Sequence, residues 1–338
     1  MFYIDGGVGG GSVLRVGVPL ALALNKSINV INVRRKRKRR GLRTQHLTGL
    51  QLLCQLTGSY LEGGAIGSSE ITVRPNFTFV SPNKHPMIQL PTSAAVSLII
   101  QTLSNYVFAS RKPIGFDFIG GGTHVSFSPN FDVLLHANKP LFEMFGLRLH
   151  IQLMKPGFYP IGGGMGRIYM EPVPFSKIEL QGGKVEEIFV ISNGSSDLRR
   201  DTIAEKHVAG FKSVFPEARS SVGYADAESS GSSCSAIIKF DSGAIKSVAR
   251  MGGSGLDPVD VGRRTAQAAQ KEIKSPAALD EQLSDQLILP LAYSPSGSTY
   301  TFEKIYPHIE ANLDVVNQIL GDVIKLEQND GYYSLFKI

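Results

Sequence analysis

FYIDGGVGGGSVLRVGVPLALALNKSINVINV, residues 2–33, holds the pattern on which the architecture turns. Phe2 to Ile4 reads as a short strand, Val13 to Leu24 as an apolar helix and Ile28 to Val33 as a second strand, so the segment is a βαβ unit. Downstream, Gln45 to Leu56 has helical spacing at Leu47, Leu50, Leu53 and Cys54 and is stopped by Gly58. Strands around Tyr60 and from Ile71 to Arg74 complete a βαβαββ order. The order recurs with a strand at Met87–Leu90, a helix at Ala94–Val107, a strand at Ile114–Ile119, a helix at Pro129–Phe145, and strands at Leu147–Leu153 and Arg167–Met170. A third copy starts near Ile178, breaks off, and resumes with a helix at Asp285–Tyr293, a strand at Thr299–Phe302, a helix at Ile309–Leu320 and strands around Val323 and Tyr332–Phe336.

The interruption has an α/β pattern of its own: strand Glu187–Ile191, helix Thr202–Val214, strands near Val222 and at Ala236–Phe240, and a last helix with Asp257 as N-cap and Pro258 at its first position. Glu228 to Ser235 (ESSGSSCS) reads as a flexible surface loop. The expected fold class is α/β, an α+β sandwich of three βαβαββ units with helices on one face of four-stranded sheets. Residues 1–180 and 278–338 form the core in this reading, and 181–277 a small α/β domain inserted into the third repeat.

Composition narrows the function. The 338 residues are 42% hydrophobic and 19% charged, which suits a globular chain and excludes bulk disorder or a fibre. The longest uncharged run near the start contains Pro19 and is too short for a membrane helix, and no basic-then-apolar secretory signal opens the chain. Two cysteines far apart support neither a disulfide framework nor a thiolate metal site, so an intracellular setting is expected. The net charge of +6 is concentrated: without the run RRKRKRR, Arg34 to Arg40, 28 basic residues face 29 acidic ones. Such a run suits phosphate or nucleic acid, and equally a nuclear-import signal.

Several segments can carry chemistry. The glycine loop Asp5–Ser12 lies between strand and helix, where free N–H groups receive an anion, but it fits neither the P-loop nor the dinucleotide fingerprint. Arg15 lies one turn into that helix; Arg43, Gln45 and His46 open the next one beside the basic run. His308 follows Pro307 at a helix start, where the dipole disfavours imidazolium and favours a neutral, nucleophilic ring. There is no HExxH pair and no GxSxG elbow.

Taken together, the glycine loop with Arg15, GLRTQHLTGL (41–50), FIGGGTH (118–124), GFYPIGGG (157–164), SDQLILPLA (284–292) and the late His308 stand in an order that closely resembles RNA 3′-terminal phosphate cyclases. The resemblance runs over nearly the whole chain. It implies an ATP-dependent enzyme in which a histidine takes AMP from ATP and passes it to an RNA 3′-phosphate, which the 2′-hydroxyl then closes to a 2′,3′-cyclic phosphate. By that resemblance His308 is the nucleophile. Gln101, Pro129, Gln282, Asp285 and Gln286 fall on ATP-binding positions. Arg15, Arg34, Arg37, Arg43, Gln45 and His46 fall on the side that binds RNA and phosphate. ATP, a divalent cation (Mg or Mn) and RNA with a 3′-phosphate end are the implied cofactors and partners, with a nuclear or cytoplasmic setting and no membrane.

The chain departs from the family pattern at Val8, where a glutamate is usual, at Gln282, where a tyrosine is usual, and at Met165. Pro19 is expected to kink the first helix or shift its start. The alternative reading is therefore a catalytically inactive, cyclase-like RNA-binding or ribosome-assembly factor. A transferase of the enolpyruvyl class on the same architecture would leave His308 without a nucleophilic role.

Overall fold

The computed structural model describes residues 1–76 and 85–338. Three groups of elements share one layout. The first is β1 (Phe2–Asp5), α1 (Ser12–Ala23), β2 (Ile28–Ile31), α2 (Thr44–Thr57), β3 (Tyr60–Glu62) and β4 (Ile71–Arg74). The second is β5 (Met87–Ala95), α3 (Val96–Ser110), β6 (Ile114–Gly122), α4 (Phe131–Val133), a π-helical turn (Leu134–Asn138), α5 (Lys139–Met144), β7 (Leu147–Lys155) and β8 (Met165–Pro172). The third opens with β9 (Glu179–Leu180) and resumes at α8 (Glu281–Gln286), α9 (Ile288–Tyr293), β14 (Thr299–Phe302), α10 (Pro307–Leu320), β15 (Ile324–Gln328) and β16 (Tyr333–Lys337).

The sheets run β1-β2-β4-β3, β5-β6-β8-β7 and β9-β14-β16-β15, each with its first pair parallel and the rest antiparallel. β9 therefore pairs across about 120 residues with β14 as its counterparts do locally, Thr299 opposite Glu179. Between them, β10 (Val185–Ser195), α6 (Ile203–Lys212), β11 (Arg219–Ala225), β12 (Ser232–Phe240), β13 (Ile245–Met251) and α7 (Pro258–Lys274) build a fourth sheet, ordered β11-β10-β12-β13. Asp257 caps α7 by accepting from Val259 N, with Pro258 at N1.

Three local readings change. Ser232 to Ser235 is not surface loop but the start of the interior strand β12; Ser233 and Ser235 are fully buried, and the hydroxyl of Ser235 donates to Asp132 Oδ2. Serine richness misleads here because small hydroxyl side chains also pack inside the fold, and that of Ser235 is satisfied there by Asn130 and Asp132. The helix expected from Asp285 starts at Glu281 and breaks at Leu287, with Asp280 as the cap accepting from Leu283 N. The spacing of Ile309, Leu313, Val316 and Leu320 predicts the buried stripe of α10; in the structure Val315 and Ile319 join the buried face, while Leu313 and Leu320 are half-buried.

Pro19 neither ends α1 nor delays its start; it sits inside Ser12–Ala23. Its missing N–H orphans the carbonyl of Arg15, four residues back. Asn105 Nδ2, from α3, donates to that carbonyl at 2.8 Å. Asn105 is buried, so Asn105→Leu strands a polar oxygen in the core, with an expected cost of about 1–3 kcal/mol. Urea unfolding that leaves the midpoint unmoved would refute this account of how Pro19 is tolerated.

Candidate functional site

α1 packs against α3 and α10, so the starts of α1, α2 and α10 and the end of α8 converge on one face. The glycine loop brings its backbone against α10: Gly9 has φ +72, and any Cβ on it would overlap the Ala311 methyl. A cleft of about 430 Å³ opens there. Its walls carry His308, Gln101, Pro129, Gln282, Asp285 and Gln286, together with Arg15, Arg34, Arg37, Gln45 and His46. Of the residues singled out in the sequence, Arg43 alone stands off the lining, as the N-cap of α2. Gly11, from the glycine loop, lines the cleft as well, and so do Leu98, Phe127, Ser128 and Glu281, which no motif marks. Glu281 was hidden by the misplaced helix start, and Phe127 lacks any motif except its nearness to Pro129.

Hydrogen-bond accounting fixes the tautomer of His308. The Ser12 hydroxyl donates its one hydrogen to Gly9 O at 3.0 Å, so toward His308 Nδ1, 3.1 Å away, it can only accept. Nδ1 then carries the ring hydrogen, and Nε2 is left with its lone pair. That lone pair faces Arg37 Nη2 at 3.2 Å, a group that can only donate. Burial, followed by the charges of Arg15 and Arg37, pushes the imidazole down to about 4. The ring is therefore a neutral base throughout the physiological range, its Nε2 lone pair accepting from Arg37.

The surrounding charge is one-sided. Arg15 is buried and donates from Nε to Gln101 Oε1 at 2.7 Å, which fixes both side chains. Arg34 adopts φ +55 and donates through Nη1 to Arg39 O and Gly41 O, curling the basic loop so that Arg34 and Arg37 face the cleft while its other cations stay exposed. Among the described residues none of Arg15, Arg34, Arg37 and Arg43 forms a salt bridge. Clustered guanidinium groups held outside any salt bridge form a ready receptor for phosphate oxygens. His46, buried beside them, is pushed down to about 3 by burial and then by Arg15, Arg34 and Arg43.

Opposite lie the carboxyl-bearing residues. Burial pushes Asp285 up to about 7 against the opposing pull of Arg15. Gln286 is held by Asn138 Nδ2, which donates to its Oε1 at 3.0 Å, and by its own Nε2 donating to Gln282 O at 2.8 Å. A neutral nucleophilic nitrogen, an arginine-lined anion receptor and a polar amide-and-carboxyl wall thus share one cavity.

The family model for RNA 3′-terminal phosphate cyclase matches residues 6–326. The chain belongs to that family. Among its relatives are cyclases so named from Archaeoglobus fulgidus, 30% identical over 97% of this chain and 98% of that protein, and from Thermococcus onnurineus, 31% identical over 98% and 97%. One from the bacterium Ectopseudomonas mendocina is 28% identical over 97% and 95%. Cyclase activity at the level of the family, an RNA-processing role and a mixed α/β fold follow from that membership. No helix among the described residues is long and apolar enough to cross a membrane.

Proposed function

We propose that this chain is an active RNA 3′-phosphate cyclase that uses ATP and His308. The observation that carries the reading is His308 Nε2 on the wall of the arginine cleft, 3.2 Å from Arg37 Nη2. In the first step the Nε2 lone pair attacks the α-phosphorus of ATP, the bond to the β-phosphate oxygen breaks, and pyrophosphate leaves. Arg37 and Arg15 stabilise charge gathering on the phosphate oxygens. Gln101, Pro129, Gln282, Asp285 and Gln286 are assigned to holding the nucleotide. AMP then passes to the RNA 3′-phosphate, held by Arg15, Arg34, Arg37, Arg43, Gln45 and His46; attack by the 2′-hydroxyl forms the cyclic ester and releases AMP. Splitting the condensation this way replaces one hard step by transfers of activated phosphate.

The residues present fit a cation that arrives with the nucleotide better than one caged by protein. Among the described residues no cluster of three or more His, Cys, Asp or Glu is placed to bind a metal, and Val8 brings no carboxylate to the glycine loop. A divalent ion bound through ATP phosphates would neutralise their charge. We assign residues 1–180 and 278–338 to the catalytic core and 181–277 to an inserted unit. An intracellular place of action suits ATP and RNA; the archaeal and bacterial relatives lend no support to a nuclear one.

The reading is tested by supplying RNA bearing a 3′-phosphate with ATP and Mg²⁺ or Mn²⁺, and scoring the cyclic end with release of AMP and pyrophosphate. RNA binding by folded protein with neither covalent label nor cyclisation would instead favour the non-catalytic family member. Arg37→Ala should weaken RNA binding and lower the steepness of log affinity against log salt by about 0.7, the value for one single-strand phosphate contact. An unchanged slope would remove Arg37 from phosphate binding. The pH dependence has a definite sign. His308 loses its proton near 4, well below the ordinary 6.5, so from pH 5 to 8 it stays neutral and causes no inflection in single-turnover adenylation. Of the groups lining the cleft Asp285 is pushed up to about 7, so an inflection there is assigned to it and should vanish in Asp285→Asn; a break at 6.5 that survives this substitution would contradict the assignment.

A further inference from the structure

A second cleft, of about 740 Å³, adjoins the arginine cleft and shares Gln45 and Phe127 with it. One side comes from the second repeat, including Phe127, Phe158 and Tyr159, and the other from the inserted unit, including Met251 and Ser254. No Asp, Glu, Lys or Arg lines it. Resting on the cyclase reading, we propose that this cleft seats a nucleobase at the 3′ end of the RNA strand while the arginine cleft holds the terminal phosphate.

A nucleotide divides into a charged part and a flat, uncharged part, and the two adjoining cavities divide in the same way. The phosphate belongs among Arg15, Arg34 and Arg37; the base fits an uncharged, aromatic-lined space. Phe127 is 101% exposed at φ +66, a backbone angle that costs energy for a bulky residue, and Tyr159 is 73% exposed on the same cleft. Both rings are thus presented to solvent at a cavity contiguous with the phosphate receptor. Behind them the wall is fixed: His124 is buried, its Nδ1 lies 2.8 Å from Thr123 Oγ1, and its ring packs on Phe158 with centroids 5.3 Å apart. A rigid wall lowers the entropy lost on binding.

The adenine of ATP is the rival occupant, and position argues against it. Gln101, Pro129, Gln282, Asp285 and Gln286 are all absent from this second cleft, whereas Gln45, on the RNA side, reaches it. The inserted unit thereby gains a role as one wall of the RNA site.

The test is the dissociation constant of a short fluorescein-labelled RNA with a 3′-phosphate, by anisotropy, alongside the KM for ATP in adenylation of the full-length protein. Tyr159→Ala and, by filling the cleft from an exposed position, Ser254→Trp should weaken RNA binding by about 5- to 150-fold, the usual range for one stacked base. Tyr159→Phe should retain it, and the ATP KM should stay put in all three. RNA abasic at its last two nucleotides should bind wild type as weakly as intact RNA binds Tyr159→Ala. Unchanged RNA affinity in both cleft variants, or undiminished binding of abasic RNA, overturns the proposal. So does a shift in the ATP KM without one in RNA affinity, which would hand the cleft to adenine. Wild type that binds RNA through Tyr159 yet takes no label from ATP would sink the enzymatic reading and leave the base subsite standing.

Discussion

His308→Ala protein, incubated with a divalent cation and ATP labelled at the α-phosphate, is expected to acquire no covalent label, a loss of at least about a thousandfold against wild type. No neighbour can substitute. His46, the other histidine of the cleft, is buried, pushed down to about 3 and ringed by Arg15, Arg34 and Arg43, and its Nδ1 has no partner among the described residues. Arg37 is a cation without a lone pair to offer. Because α10 is led by Pro307 and packed through Ile309, Val315 and Val316, losing a half-exposed ring at its second position should leave the fold intact, which unchanged circular dichroism would verify. Ser12→Ala supplies the companion result. Without the hydroxyl that accepts from Nδ1, the ring loses one of its anchors, so adenylation should slow by about tenfold without being abolished. Label on His308→Ala equal to wild type would end the proposed mechanism.

Much of this was legible in the chain because the repeats announce themselves through periodicity, and because β9 and β14 each keep their place in a known order despite the residues between them. The cleft lining was legible for another reason: glycine loop, basic run and helix starts are local features, and the fold brings them to a common face. What local pattern could not convey was compensation at a distance. Pro19 reads as a helix breaker until Asn105, 86 positions later, is found occupying the carbonyl it orphans. Ser232 to Ser235 reads as loop until Asp132 is found accepting from Ser235. Phe127 and Glu281 escaped notice because no spacing rule marks a residue whose only distinction is the cavity it faces.

Gly11→Ala is expected to damage both activities strongly, by packing rather than chemistry. A Cβ at Gly11 would overlap His46 Nε2 and come within 2.6 Å of its Cδ2 and 2.9 Å of its Cε1, so the ring must move. It has little room: His46 is 7% exposed, sits in the first turn of α2, and faces the same cations that repel its protonated form. Overpacking of this kind costs about 1–3 kcal/mol, and it displaces α2 relative to α1, which together carry Arg15, Gln45 and His46 into the cleft. Adenylation and RNA binding should therefore both fall, by about a hundredfold, since displacements near 1 Å at a reacting site cost that much. The double variant Gly11→Ala/His46→Ala separates the causes. Removing the ring relieves the clash, so thermal stability should return most of the way to that of His46→Ala alone, a non-additivity expected for two groups in direct contact. If the two losses simply add, the damage does not arise from the Gly11–His46 contact, and the close approach of glycine loop to imidazole is not what shapes the phosphate receptor.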